Sequence, residues 1–155
     1  MKGKVGFSLA AVLSLLAALL HIAIIIGGPT WYLASGAGEQ LAAMAASGSW
    51  YPTFLGSVLV FIFIAWSLYA LSGAGFIARL PFLKFALVAI ASVCTLRGLY
   101  GFFVPFINKS EYVASLGLSF WFFSSLVWLV LGLSYWLGIT SCWADINRMH
   151  TALPK

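Results

Sequence analysis

His21, Glu39 and Arg97 are ionisable residues set in segments otherwise almost without charge, and their types define the chemistry open to this chain. A guanidinium can hold an anion, and an imidazole with a carboxylate can move a proton. Arg97 comes 13 residues after Lys84, so at helical rise it stands roughly 20 Å into a hydrocarbon core about 30 Å thick. A charge at that depth costs on the order of 3 kcal/mol on insertion scales, and it faces a bundle interior, a cavity or a partner unless it snorkels to the interface. His21 lies five residues before Ile26, about 7 to 8 Å below the end of its apolar run and within a turn of the depth of Arg97. It follows Ser14 and Ala18 on one helical stripe, where a histidine commonly serves as a structural hydrogen-bond partner.

Glu39 comes after a Gly27-Gly28-Pro29 break that lets the chain fold back over the bundle. The expectation is one outward-facing polar site in which Glu39, His21 and Arg97 converge, with Trp31, Tyr32 and Tyr100 as amphipathic walls. Gly98 and Gly101 beside the arginine permit a close approach by a helix or a ligand. The plain alternative is a Glu39 that solvates the surface and an Arg97 that snorkels. On the last apolar run Trp121, Ser125, Trp128, Gly132 and Trp136 share one face, which reads as interhelical packing or lipid contact in preference to a cofactor box.

Other chemistries find little support. There is no CxxC and no Walker loop, and His150 falls in the C-terminal tail, away from His21, so no metal site and no cofactor are expected. Cys94 and Cys142 sit at different depths and are expected to be free thiols. The net charge of +5 comes from cations scattered singly at the ends of apolar runs, a pattern that argues against nucleic acid.

The elements that must position these residues are membrane helices. Of the 155 residues, 63% are hydrophobic and only 7% charged, against roughly 25% charged in soluble domains. The fold class expected is all-α integral membrane: a single domain over 1–155, built as a four-helix transmembrane bundle with a short interfacial helix in the first outer loop. The spans fall at about 5–26, 52–72, 81–104 and 112–139. Gly27 to Pro29 stop the first, Pro52 opens the second, Pro105 ends the third, and the fourth is long enough to tilt or protrude. The interfacial helix is expected between Gly36, as N-cap, and Ser47. The first run is too long for a signal-peptide core and reads as a retained helix.

Lys2, Lys4, Arg79, Lys84, Arg148 and Lys155 put the N-terminus, the second connection and the C-terminus in the cytoplasm, so both termini are inside. Trp31, Trp50, Tyr51 and Tyr112 fall at the interfaces, as an aromatic belt requires. The near-repeat "YLASGAG" at 32–38 and "YALSGAG" at 69–75 reads as two helix ends rich in Ser, Gly and Ala in preference to an inverted repeat.

The string "HIAIIIGGPTWYLASGAGE", with "SWYP", "YALSGAG", "RLP" and "LVAI...LRG" after it, resembles a family of small four-span bacterial inner-membrane proteins of unknown function, over most of residues 19–104. The resemblance implies the bacterial cytoplasmic membrane and carries no activity with it. Three function classes stay open. One is a module that binds or passes a small anionic or lipophilic ligand at the outer site. Another is an accessory subunit docking a larger membrane partner or a second copy of itself. The third is a membrane enzyme using His21 and Glu39 as acid and base.

Overall fold

Among the described residues, which are 2–151 for the backbone and 3–142 for the side chains, the computed structural model has six helices and no strand. They are α1 (Lys2–Gly27), α2 (Pro29–Ala34), α3 (Glu39–Ala46), α4 (Tyr51–Ala74), α5 (Leu83–Ile107) and α6 (Glu111–Thr151). The side chains of Lys2, Arg148 and His150, and the whole of Lys155, lie outside the described residues. Four stretches are long and apolar enough to cross a membrane: Gly3–Gly27, Tyr51–Ala74, Leu83–Ile107 and Glu111–Cys142. The fold is therefore an all-α four-helix membrane bundle. The short helices α2 and α3 form a lid at the end opposite the termini, the lid end of the bundle.

Local chemistry sets the ends of these helices. Gly28 has φ 69° and turns the chain out of α1, and Pro29 opens α2 at a position where its missing N–H costs nothing. Gly38, not Gly36, precedes α3, and it takes φ 107°. The end of α4 is a left-handed Gly75 at φ 77°, with the Gly75 and Phe76 amides bonded to the Ser72 and Leu71 carbonyls. The next loop is tied back to α4: Ser72 Oγ accepts from the Leu80 amide at 3.0 Å and donates to the Ala78 carbonyl at 3.2 Å. The two near-repeats both end helices, although α2 stops at Ala34 while α4 runs on to Ala74.

Two expected boundaries move. Pro105 does not end the third span; α5 continues to Ile107 with Pro105 in its last turns, and the Asn108 amide closes the helix on the Val104 carbonyl at 2.8 Å. The fourth span is not one tilted rod. Its backbone leaves helical geometry at Gly117 (φ 77°, ψ 158°), a conformation open essentially to glycine alone, and the membrane-spanning segment beyond that break is comparable in length with α4 and α5.

Small residues let the helices approach. A Cβ on Gly6 of α1 would stand 2.7 Å from the Gly138 backbone nitrogen of α6, so at this point the two backbones lie against each other. Tyr135 of α6, fully buried, donates to the Trp66 carbonyl of α4 at 2.8 Å and meets Ser14 Oγ of α1 at 3.1 Å. Ser67 of α4 donates to the Ala11 carbonyl of α1 at 3.0 Å. Around Tyr135 pack Phe7, Ala10, Ala70, Leu87 and Cys94, which form the main core in the half nearer the termini. The ring of helices runs α1, α4, α5, α6, with α4 against α5 as its loosest seam.

Candidate functional site

The glycines of α5 decide the geometry around Arg97. On the face turned to α6, Gly98 leaves room for Leu129, whose Cγ would stand 2.7 Å from a Cβ placed there. One turn on, a Cβ on Gly101 would collide with Ser125 Oγ and stand 2.8 Å from Arg97 Nη1. The absent side chain of Gly101 thus leaves a space that two polar groups share.

Neither group finds a partner. Ser125 is 0% exposed, and its hydroxyl makes no hydrogen bond; Arg97 Nη1 is likewise buried with no acceptor. Ser92 and Thr95 of α5 and Ser134 of α6 turn their hydroxyls back to the carbonyl four residues earlier. Ser125 does not. An unpaired buried hydroxyl costs about 1 to 3 kcal/mol, and an unpaired guanidinium nitrogen costs more.

Aromatic rings form the wall of this space. The Arg97 guanidinium carbon lies 5.8 Å from the centroid of Trp128 on α6. Trp128 meets Phe63 at 5.9 Å and Trp66 at 6.4 Å, both on α4, and Phe63 stacks on His21 of α1 at 5.0 Å. His21 of α1 and Arg97 of α5 therefore lie on one aromatic cluster contributed by α4 and α6, at the common depth that the sequence implies. His21 Nδ1 donates to the Ala17 carbonyl at 2.8 Å.

Glu39 stands apart from them. It is exposed at the start of α3 and, among the described residues, makes no ion pair or hydrogen bond with His21 or Arg97. The expected convergence of the three is absent for a physical reason. Tyr112, at the start of α6, accepts the Gly38 amide at 3.1 Å and donates to the Leu33 carbonyl at 2.9 Å, which ties the lid down just before Glu39 and leaves its carboxylate in solvent.

Trp31 is 47% exposed and Tyr100 60% exposed, so these two sit on the outside of the bundle. Tyr32 is buried beneath the lid with Ile24 and Ala42, and its phenol reaches no hydrogen-bond partner. Burial raises its pKa above the ordinary tyrosine value.

Among the described residues no three histidine, cysteine or acidic side chains gather as a metal site, and Cys94 and Cys142 are free thiols. The tryptophan face of α6 packs on α5: Trp136 Nε1 donates to Thr95 Oγ1 at 3.2 Å, and Gly132 abuts the same threonine. A separate shallow cavity of about 330 Å³ lies at the break in α6, lined by Pro105, Asn108, Lys109 and Gly117 among others. None of the six residues expected to bind ligand lines it.

Sequence reasoning missed Ser125 and Trp128 as neighbours of Arg97, and Phe63 and Trp66 as the rings packed on Trp128. The four-residue step from Arg97 to Gly101 and the three-residue step from Ser125 to Trp128 put each pair on one helical face, which is the signal available in the sequence.

The fold and the cluster define a class, a polytopic α-helical membrane protein with a half-buried arginine over the ring of one tryptophan. Comparison with protein-family models, with curated proteins and with solved structures yields no match.

Proposed function

We propose that this chain is a multi-pass protein of the bacterial cytoplasmic membrane, with both termini cytoplasmic, that binds an anionic group against Arg97 in the lid-end half of the bundle. One observation carries the reading: Arg97 Nη1 and Ser125 Oγ are two buried donors, side by side at Gly101, with no acceptor between them. The described carboxylates cannot supply one, since Glu39 and Glu111 are exposed. Asp145 lies seventeen residues beyond Trp128 on α6, roughly 25 Å along the helix. An anion would neutralise the guanidinium and satisfy both donors at once.

The orientation rests on charge. Lys4, Arg79 and Lys84 lie at the end of the termini, while Glu39 and Glu111 lie at the lid end with Lys109. The bacterial assignment rests on the family resemblance of residues 19–104. Acid–base catalysis by His21 and Glu39 has less behind it, because His21 Nδ1 is committed to Ala17 and Glu39 faces solvent. The apolar outer faces of the four spans are what a lipid bilayer requires.

The test is thermal unfolding of the full chain in a neutral detergent with acetate, decanoate or inorganic phosphate. Saturable stabilisation by at least one of them, lost in Arg97→Gln and kept in Lys109→Ala, is expected. No stabilisation by any of the three, or an equal response in Arg97→Gln, removes the reading.

A further inference from the structure

We infer that the anion is the head of an amphiphile which reaches Arg97 sideways, through the seam between α4 and α5; the inference rests on the anion-binding reading above and names its ligand. The seam is held at the end near the termini. There a Cβ on Gly73 of α4 would lie 3.1 Å from Leu87 of α5, and Tyr69 Oη donates to the Pro81 carbonyl at 3.2 Å. Toward the lid, the close contacts of the two helices run elsewhere. Those of α5 go to α6, through Gly98 with Leu129, Gly101 with Ser125 and Phe102 with Phe122 at 5.2 Å. Those of α4 go to α1 and α6, through Gly56 with Ile25 and Phe63 with His21 and Trp128.

The route from water is the more obstructed one. The lid packs Tyr32 and Ala42 on Ile24 of α1, sets Gly36 against Phe120 of α6, and is tied down by Tyr112. A water-soluble ion would have to pass that cover and then lose its hydration shell beside Phe63, Trp66 and Trp128. An amphiphile already in the bilayer carries its tail in the seam and presents only its head to the donors. Two donors at one point match two acceptor oxygens on one centre, the chemistry of a carboxylate or a phosphate monoester.

The experiment uses 9,10-dibromostearate, whose bromines quench nearby indoles, on the full chain in a neutral detergent, beside its uncharged methyl ester. The acid should quench saturably, with a half-saturating mole fraction at least tenfold below that of the ester. Arg97→Gln should bring the two together, Ser125→Ala should weaken the acid several-fold, and Trp128→Phe should lose most of the extra quenching. Displacement of the acid by millimolar acetate or inorganic phosphate would overturn the inference, because the head alone would then be the ligand, and would leave the anion-binding reading standing. Equal quenching by acid and ester in the unsubstituted chain would overturn both.

Discussion

The Arg97 guanidinium stands over the ring of Trp128, 5.8 Å from its centroid, so the negative face of an indole is turned toward this cation. Such a contact contributes about 0.5 to 2 kcal/mol, the larger figure applying where water is excluded. A double-mutant cycle between Arg97→Met and Trp128→Leu, read by denaturant unfolding in detergent, should return a coupling within that range. Additive losses would mean that the ring only fills space.

Two buried tyrosines should respond in opposite ways to loss of the phenol oxygen. Tyr135 Oη bonds both the Trp66 carbonyl and Ser14, so Tyr135→Phe should cost about 1 kcal/mol, a typical value for interhelical hydrogen bonds in membranes. Tyr32 Oη bonds nothing, so Tyr32→Phe removes an unpaired buried hydroxyl and should be neutral or stabilising. Equal losses in the two variants would contradict this difference in hydrogen bonding. Because burial raises the Tyr32 pKa above the ordinary tyrosine value, stability should fall as pH rises past about 10, where the unfolded chain ionises first, and Tyr32→Phe should remove this fall.

The spans were legible because bilayer thickness imposes length and apolarity on each helix, and because Gly28, Pro52 and Gly75 mark turns by local chemistry alone. Gly117 was not legible, since a glycine inside an apolar run reads as a packing position until the backbone shows its φ of 77°. Pro105 misled in the other direction: a proline near the end of a helix can sit in the last turns without stopping them. Residue count fixes depth along each helix, so the shared level of His21 and Arg97 could be read in advance. It does not fix rotation about the helix axis. Ser125 and Trp128 came to light beside Arg97 only once α5 and α6 were set side by side.

The lid should depend on one hydroxyl. Tyr112→Phe removes both the bond to the Gly38 amide and the bond to the Leu33 carbonyl while keeping the ring. Amide hydrogen exchange should accelerate severalfold across residues 33–46, with α1 and α4 to α6 unchanged. Unchanged exchange in that segment would show that the packing of Tyr32 and Ala42 holds the lid unaided.

Close backbone approach between α1 and α6 predicts intolerance at Gly6. Its missing Cβ is 2.7 Å from the Gly138 nitrogen and 2.9 Å from the Ser134 carbonyl, both backbone atoms that cannot swing aside. Gly6→Ala should destabilise by about 1 to 3 kcal/mol, against less than about 0.5 for Leu15→Ala on the exposed face of the same helix. Similar midpoints for the two in denaturant unfolding would argue that the helices separate easily there.

The orientation of the bundle can be read with single cysteines. Cys94 can stay in place because it is wholly buried on α5, whereas the partly exposed Cys142 must be replaced by serine. In that background Lys109→Cys reports the lid end and Arg79→Cys the opposite end, both from exposed loop positions. With cations concentrated at the end of the termini, a membrane-impermeant maleimide added to intact spheroplasts should label Lys109→Cys and leave Arg79→Cys unlabelled until the membrane is broken. The reverse pattern would put the termini outside and turn the lid toward the cytoplasm. A bilayer-borne amphiphile would then reach Arg97 from the inner leaflet, and the charge argument for orientation would fail while the geometry of the Arg97 cluster stood.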